Sequence, residues 1–433
     1  MHGRLKRIAR GMAWASSGLL ASWSGGARAD VPLEATVANV DVEATIYGFL
    51  NAQVEHVWAQ GGSTPYEPRN RVTDGGSRLG FSGNIELGSN TSAIWQIEGS
   101  LNGFEQGGVS DQGTPAIIVS RNTFVGVEDE RFGRLIAGNN DSAYRSLIGS
   151  GGEMGGNLGL SSLGLDLWNN TSAQLTGGPN SIFSRGEARY QNSVHYRSPD
   201  WVLPDEPSHI QLAASYSFDE VLTNGRHRDR FAVAALYRFD QFKIGFGVDY
   251  QANTGVNVDN LQQGLGMHTD GEDGVATYFY KAVASYFFPT QTYLGLGFER
   301  SNYGYLLFVP PSDSNFYARV TTGTVRQNGA MASVAQVIGP VTIMASGGAL
   351  FKASHPVLGG SSQFQATQYS FGAKYAFNES FGAYVYATAI RNKAQQDVNL
   401  GQPLYSNNFG TSSAYLALGD SPRAFGIGAI ARF

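Results

Sequence analysis

The chain has 433 residues, of which 56 are glycine and none is cysteine, and it carries 30 basic and 35 acidic residues. Apolar residues make up 42% of the chain, aromatic residues 12% and charged residues only 15%. These values exclude a disordered chain, which would be poor in aromatic residues and rich in charge, and a disulfide or cysteine-based site. The many aromatic residues and glycines favour β-structure, and the length fits two or three soluble domains or one large closed β-structure.

The first 29 residues form a predicted secretory signal peptide. Residues 1–10 contain four basic residues and no acidic one, residues 11–27 are uncharged and moderately apolar, and Ala27-Arg28-Ala29 places small residues at the two positions that a signal peptidase reads. Cleavage after Ala29 leaves residues 30–433. The segment holds five basic residues, so its removal lowers the Lys and Arg count from 30 to 25 against 35 acidic residues, and the net charge changes from −5 to −10. This negative charge argues against nucleic-acid binding.

Beyond residue 41 the apolar residues alternate with polar ones. Between residues 42 and 56 the even-numbered positions, such as Ile46 and Leu50, are apolar, and the odd-numbered positions, such as Asn51 and Gln53, are polar or aromatic. A period of two residues predicts a β-strand with one apolar and one polar face.

Similar segments recur along the whole chain. They are predicted at 42–56, 76–87, 91–101, 116–128, 131–140, 187–199, 207–219, 228–240, 242–251, 274–288, 290–302, 318–337, 340–352, 364–377, 379–392 and 421–433. Most exceed the five or six residues of a typical soluble strand and match the roughly 9–11 tilted residues that cross a bilayer. The sequence therefore predicts an all-β fold, a 16-stranded antiparallel transmembrane β-barrel.

One stretch admits a helical alternative. No charged residue lies between Arg326 and Lys352, and this distance is long enough for a membrane-spanning helix. However, Gly339-Pro340 interrupts the stretch, and residues 341–351 alternate strictly. Two strands joined by a tight turn are therefore the preferred prediction.

The connections between the predicted strands alternate between short and long. Short turns are predicted at 88–90, 129–131, 240–241, 289–290, 339–340 and 378–379, and long loops at 57–75, 104–115, 141–186, 219–227, 252–273, 303–317, 353–363 and 393–420. Outer-membrane barrels have short periplasmic turns and longer extracellular loops. We therefore expect both chain termini on the periplasmic side of the cell outer membrane.

Several segments resemble a known family. They are Ala44–Gly48 (ATIYG), Gly76–Gly83 (GSRLGFSG), Ser120–Val127 (SRNTFVGV), Arg189–Tyr196 (RYQNSVHY) and the terminal Ile427–Phe433 (IGAIARF). Together they resemble the trimeric, 16-stranded porins of Gram-negative outer membranes, and within these the beta-proteobacterial, neisserial-type branch. The resemblance implies a homotrimer and a water-filled channel for passive diffusion of small hydrophilic solutes and ions.

The resemblance also implies a pore constriction. In this family the third extracellular loop, here about residues 140–186, folds into the barrel; its Gly152–Gly156 segment departs from the usual loop motif, which has Pro before the Glu and an aromatic residue after it. Alternation places Arg78 on the lumen face. The resemblance adds Arg121 and Arg189, and it places the loop acids opposite these arginines. The predicted constriction therefore consists of Arg78, Arg121, Arg189, Asp141, Glu153 and Asp166, with Arg145 as a further candidate. In the alternative interpretation the arginines only stiffen the wall by pairing with carboxylates such as Glu43 or Glu98.

Two other functions stay open at this point. One is a substrate-specific channel for a sugar or organic acid, in which Trp168 and Tyr144 would form an aromatic slide. The other is a structural or adhesive barrel with a plugged lumen. Outer-membrane lipid and lipopolysaccharide are expected partners in each case.

An enzyme is not expected, because the chain has no Gly-x-Ser-x-Gly and no His-Glu-x-x-His motif and its histidines are scattered. His195 falls on a lumen face and is expected to be solvated. The acidic stretch 270–274 lacks the spacing of a Ca²⁺ loop, so a solvated loop is preferred over one that bridges to lipopolysaccharide through divalent ions. No cofactor or metal site is predicted.

Overall fold

The computed structural model describes residues 31–37, 40–63, 66–73, 76–101, 118–149, 182–203, 207–220, 222, 225–256, 274–309, 319–354, 361–400 and 416–433. The predicted signal peptide lies outside these ranges. So do residues 270–273 of the acidic stretch and the central part of the third loop, with Glu153, Asp166 and Trp168.

Nearly all regular structure is β-strand. The strands are β1 (Val31–Val37), β2 (Val40–Gln60), β3 (Tyr66–Thr73), β4 (Arg78–Glu86), β5 (Thr91–Leu101), β6 (Ile118–Asp129), β7 (Gly133–Asp141), β8 (Arg189–Arg197), β9 (Trp201–Val202), β10 (Ser208–Ser217), β11 (Arg230–Phe239), β12 (Phe242–Gln251), β13 (Thr277–Phe287), β14 (Thr292–Val309), β15 (Arg319–Ile338), β16 (Val341–Leu350), β17 (Ala366–Ala376), β18 (Phe381–Asn392) and β19 (Ser421–Arg432). Within the described ranges the other regular elements are helix α1 (Ala143–Ile148) and a 3₁₀ turn (Ser361–Phe364). No helix in these ranges has the length and apolar character needed to cross a membrane.

Sixteen of the strands form one closed antiparallel ring. Strand β2 pairs with β4, pairing continues through β8, passes to β10 and runs to β19, and β19 pairs with β2. Strands β1, β3 and β9 are additions on the edges of β2 and β10. The predicted 16-stranded barrel is confirmed, including the two strands that meet at the Gly339-Pro340 turn.

The inner and outer faces follow the predicted alternation. On β2, Leu50 and Val54 are 42% and 54% exposed, whereas Asn51, Gln53 and Glu55 are buried on the inner face. A closed sheet pairs its backbone groups without free edges, so an apolar exterior and a polar interior suit a bilayer. The mild average hydropathy of the chain results from these two opposite faces.

Phe433 lies at one end of the seam where β19 closes the ring against β2. The backbone of Gly48 on β2 and that of Phe433 exchange two hydrogen bonds, of 2.9 and 3.2 Å. A Cβ atom on Gly48 would lie 2.5 Å from the carbonyl oxygen of Arg78 and 3.0 Å from the Phe433 ring. Only glycine fits at this position of the seam.

The first extracellular connection differs from the prediction. Residues 57–75 were expected to form a loop, but β2 extends to Gln60 and β3 pairs with its upper half, while β4 pairs with its lower half. Strands β3 and β4 thus succeed one another along the same edge of β2. Strand β3 was missed because Glu67, Pro68 and Arg69 interrupt any alternation.

Candidate functional site

The first limb of the third loop lies inside the barrel. Helix α1 begins after Ser142, whose hydroxyl accepts a hydrogen bond from the Arg145 N–H at 3.2 Å. The Ala143 N–H donates to the Ser215 hydroxyl on β10 at 2.7 Å. These bonds fix the start of the helix to the inner wall.

Glycines on the wall make room for this helix. The side chains of Tyr144 and Ile148 are completely buried. A Cβ atom on Gly245 or Gly247 of β12 would lie 2.6 Å from the Ile148 side chain. The helix therefore packs directly on the backbone of β12.

The returning limb of the loop packs farther around the wall. Phe183 is buried over β14, where a Cβ atom on Gly297 would lie 2.1 Å from its ring, and a Cβ atom on Gly329 of β15 would lie 2.5 Å from the Ile182 carbonyl oxygen. The in-folded third loop is confirmed by the positions of both limbs.

A first group of charges lies on the wall opposite this packing. Glu98 on β5 pairs with Arg121 on β6 at 2.6 Å and with Arg78 on β4 at 4.0 Å. The Arg78 side chain is 37% exposed, while that of Glu98 is 7% exposed. The Glu98 carboxylate is thus shielded from the lumen, whereas the positive charge of Arg78 is exposed to it.

A second group joins this wall to the loop. Asp141 at the end of β7 pairs with Arg189 at 3.1 Å and with Arg145 of α1 at 3.0 Å. Asn122 donates to Asp141 at 3.3 Å and accepts from Arg189 at 2.8 Å. Asp141 therefore lies among the arginines on one wall, not across the lumen from them.

A third group ties the returning limb to β13 and β14. The Lys281 ammonium pairs with Glu187 of the limb and lies 3.1 Å from Glu299 of β14. Arg185 of the limb pairs with Glu299 at 2.7 Å. All four side chains are completely buried. Burial alone would lower the pKa of Arg185, but the Glu299 carboxylate outweighs this effect and the net shift of the pKa is upward.

The second and third groups meet, because Arg145 also lies 3.6 Å from Glu187. Seven groups of alternating sign then follow one another across the loop: Arg189, Asp141, Arg145, Glu187, Lys281, Glu299 and Arg185. Breaking a buried pair by removing one partner typically costs about 3–5 kcal/mol. This ion chain can therefore hold both limbs in place.

Four of the six predicted constriction residues are thereby located in one region of the wall: Arg78, Arg121, Arg189 and Asp141. Arg145 joins them through Asp141. Glu153 and Asp166 fall outside the described ranges. Both interpretations of the arginines keep support, since Arg78 and Arg121 do pair with Glu98, while Arg78 also remains open to the lumen.

Sequence reasoning missed the residues of the third group. Lys281 and Glu187 are far apart in the chain, and no local motif joins them. A signal did exist, because Lys281 and Glu299 are the single charged residues at the inward positions of β13 and β14.

Two smaller predictions are wrong. Tyr144 is completely buried against the wall, so it cannot form part of an aromatic slide. His195 is not solvated; it is 6% exposed and lies between the hydroxyls of Ser193 and Ser215 at 2.8 and 2.7 Å. Helix α1, anchored on Ser215, covers this part of the wall.

Comparison with known proteins relates the chain to porins of the outer membrane. A family model described as Gram-negative porin matches residues 15–395. The major outer membrane protein P.IB of Neisseria meningitidis serogroup B is 27% identical over 250 residues, 56% of this chain. The match spans 64% of the length of that relative.

Solved structures agree with the fold. The anion-selective porin from Comamonas acidovorans superimposes with a TM-score of 0.64 at 14% identity, over 90% of this chain and 100% of that one. OmpT of Vibrio cholerae, in a trimer form, superimposes with a TM-score of 0.53 at 14% identity, over 90% of this chain and 99% of that one.

Proposed function

Since the chain belongs to the family of Gram-negative porins and is a protein of the outer membrane, we propose that it forms a water-filled channel for passive diffusion of small hydrophilic solutes and ions. The observation that carries this proposal is the position of the third loop. Its two limbs are packed against the wall of β10–β15, so they narrow the lumen from one side and leave the arginines on β4 and β6 facing it.

The proposed constriction consists of Arg78, Arg121, Arg189 and Asp141 on the wall, with Glu153 and Asp166 of the loop. Arg78 supports a preference for anions, because its charge is exposed and that of its partner Glu98 is buried. The Comamonas acidovorans protein of similar fold is described as anion-selective.

Further parts of the proposal concern processing and assembly. Residues 1–29 are removed as a signal peptide, and three copies associate, as in the trimer form of the Vibrio cholerae protein. Outer-membrane lipid and lipopolysaccharide surround the barrel. We propose no catalytic step for this chain.

Liposome swelling tests the channel directly. Liposomes that contain the assembled protein should swell in isotonic solutions of small sugars, at rates that fall with increasing solute size. No swelling with correctly folded protein would contradict the channel and support a plugged barrel. Uptake of one solute far above others of equal size would support a substrate-specific channel.

A further inference from the structure

A cluster of polar and aromatic side chains lies on the outer face of β13–β15, at its extracellular end. We call it the upper patch, and it comprises Tyr278, Tyr280, Arg300, Asn302, Arg326 and Asn328. In the strand register Tyr280 is opposite Arg300, and Arg300 is opposite Asn328. Asn302, one step higher, is opposite both Tyr278 and Arg326.

These side chains point away from the lumen. Their sequence neighbours Phe279, Glu299 and Gln327 are buried on the inner face. On β14 the next outward residue below Arg300 is Phe298, which is 47% exposed. The upper patch therefore faces the membrane side of the wall.

The aromatic residues of β13 give the depth of the patch. Tyr286 and Phe288 lie at the periplasmic end with their rings 4.6 Å apart, and Tyr278 and Tyr280 lie at the opposite end. Tyr278 and Phe288 are separated by ten residues, which at about 3.4 Å per residue and a tilt of about 40° corresponds to a height of about 26 Å, close to that of an apolar band of about 25 Å. Aromatic girdles mark the two lipid–water boundaries, so Arg300 lies at the outer boundary.

No carboxylate in the described part of the chain pairs with the arginines of the upper patch. The Arg300 guanidinium donates to the Asn302 side-chain oxygen at 3.2 Å. Within the ranges that the structure describes, neither Arg300 nor Arg326 forms an ion pair, and the outward positions of β12–β16 include no Asp or Glu. The outward positions at the periplasmic ends of β14 and β15 carry no Lys or Arg. Among the described residues, two positive charges thus lie at the outer boundary with no carboxylate beside them.

We propose that the upper patch binds a phosphorylated, multiply acylated glycolipid of the outer leaflet, the lipid A portion of lipopolysaccharide. The proposal rests on the outer-membrane surroundings proposed above. Arg300 and Arg326 occupy diagonal positions on paired strands, roughly 7–8 Å apart, and a guanidinium can bind a phosphate with two parallel hydrogen bonds. The asparagine side chains can bond sugar hydroxyls, and the acyl chains would lie along Phe298 and Leu296.

Binding can be measured on the full protein in detergent by native mass spectrometry with diphosphoryl lipid A. The Arg300→Gln/Arg326→Gln variant should bind it on the order of tenfold more weakly than the wild type. The matched control is Arg78→Gln/Arg121→Gln, which removes the same charge from the lumen and should bind lipid A as the wild type does. Arg300→Lys, which keeps the charge but loses the planar donor pair, should give an intermediate loss.

The proposal would be overturned by unchanged binding of lipid A by the outward variant, by an equal loss in the lumen control, or by phosphatidylglycerol binding the wild type as tightly as lipid A does. Dissociation of assembled copies in the outward variant with unchanged lipid binding would also overturn it, since the patch would then be a contact between copies. The outward variant should keep wild-type conductance in planar bilayers. A wild type without conductance would instead contradict the channel and leave the lipid measurement valid.

Discussion

Lys281 on β13 and Glu187 on the returning limb of the third loop form an ion pair in which both side chains are completely buried. The same ammonium donates to the Phe183 carbonyl oxygen at 2.9 Å and lies 5.2 Å from the centre of the Tyr144 ring. One side chain of the wall thus contacts both limbs of the loop. We therefore expect the position of the loop to depend on Lys281.

Replacement of Lys281 tests this dependence. In Lys281→Met the carboxylates of Glu187 and Glu299 stay buried without the ammonium between them, at a cost of about 3–5 kcal/mol. This cost acts on the docking of the loop, because the strand pairing of β13 is unchanged. We expect a larger single-channel conductance with more current noise. Lys281→Arg, which keeps the charge, should stay near the wild type, and wild-type conductance and noise in Lys281→Met would rule out the anchoring role.

Removal of Arg78 and Arg121 should change the ion selectivity of the channel. In Arg78→Ala/Arg121→Ala the Glu98 carboxylate loses both cations, so we expect a larger conductance and a shift toward cations. Under a tenfold salt gradient the reversal potential should move by a fraction of the ~59 mV that separates zero from ideal selectivity for a single charge. Arg131→Ala, in an exposed periplasmic turn, is the control. An unchanged reversal potential would refute the assignment.

Because Gly245 and Ile148 are in contact, we expect the effects of substitutions at these two positions on conductance to depend on each other. In Gly245→Ala the new methyl group would lie 2.6 Å from the Ile148 side chain, and overpacking of this kind costs about 1–3 kcal/mol. We expect α1 to shift and the conductance to change. Adding Ile148→Ala removes the clash and should bring the conductance back toward that of Ile148→Ala alone. Additive effects in this double-mutant cycle would show that the two residues do not meet.

Gly48 predicts an effect on assembly. In Gly48→Ala the added methyl group meets the backbone oxygen of Arg78 and the Phe433 ring, so closure of the barrel should cost about 1–3 kcal/mol. The fraction of heat-modifiable, folded protein in gel assays should fall. Gly88→Ala is a suitable control, because its Cβ atom would have no neighbour within 4 Å. Equal folded fractions in the two variants would contradict the tight seam.

The strands could be predicted from the sequence because each must expose one apolar face to lipid, and the resulting period of two is local. Strand β12 matches its prediction at both ends. Strand β3 does not, since it extends the wall on the extracellular side and carries Glu67, Pro68 and Arg69 in succession. This part of the wall lies beyond the lipid, so its outer face need not be apolar and its residues need not alternate.

The candidate site was only partly predictable for a different physical reason. Arg78 could be placed because its face follows from its own strand. Lys281 and Glu187 could not be paired, because their contact depends on the path of a loop across the lumen. Glycines at inward positions, such as Gly245 and Gly297, lie where the loop packs on the wall. Their role can be recognised only in the structure, where the loop is seen against them.

The seam between Gly48 and Phe433 also constrains the order of events in biogenesis. Strand β19 pairs with β2 over Ser421–Arg432, so the sheet cannot close until β19 has been exported. A product that ends before β19 keeps two unpaired edges, which are prone to aggregation, and contacts of such high sequence separation form slowly. Completion of the barrel is thus a late event, and a chain that lacks β19 is an open sheet.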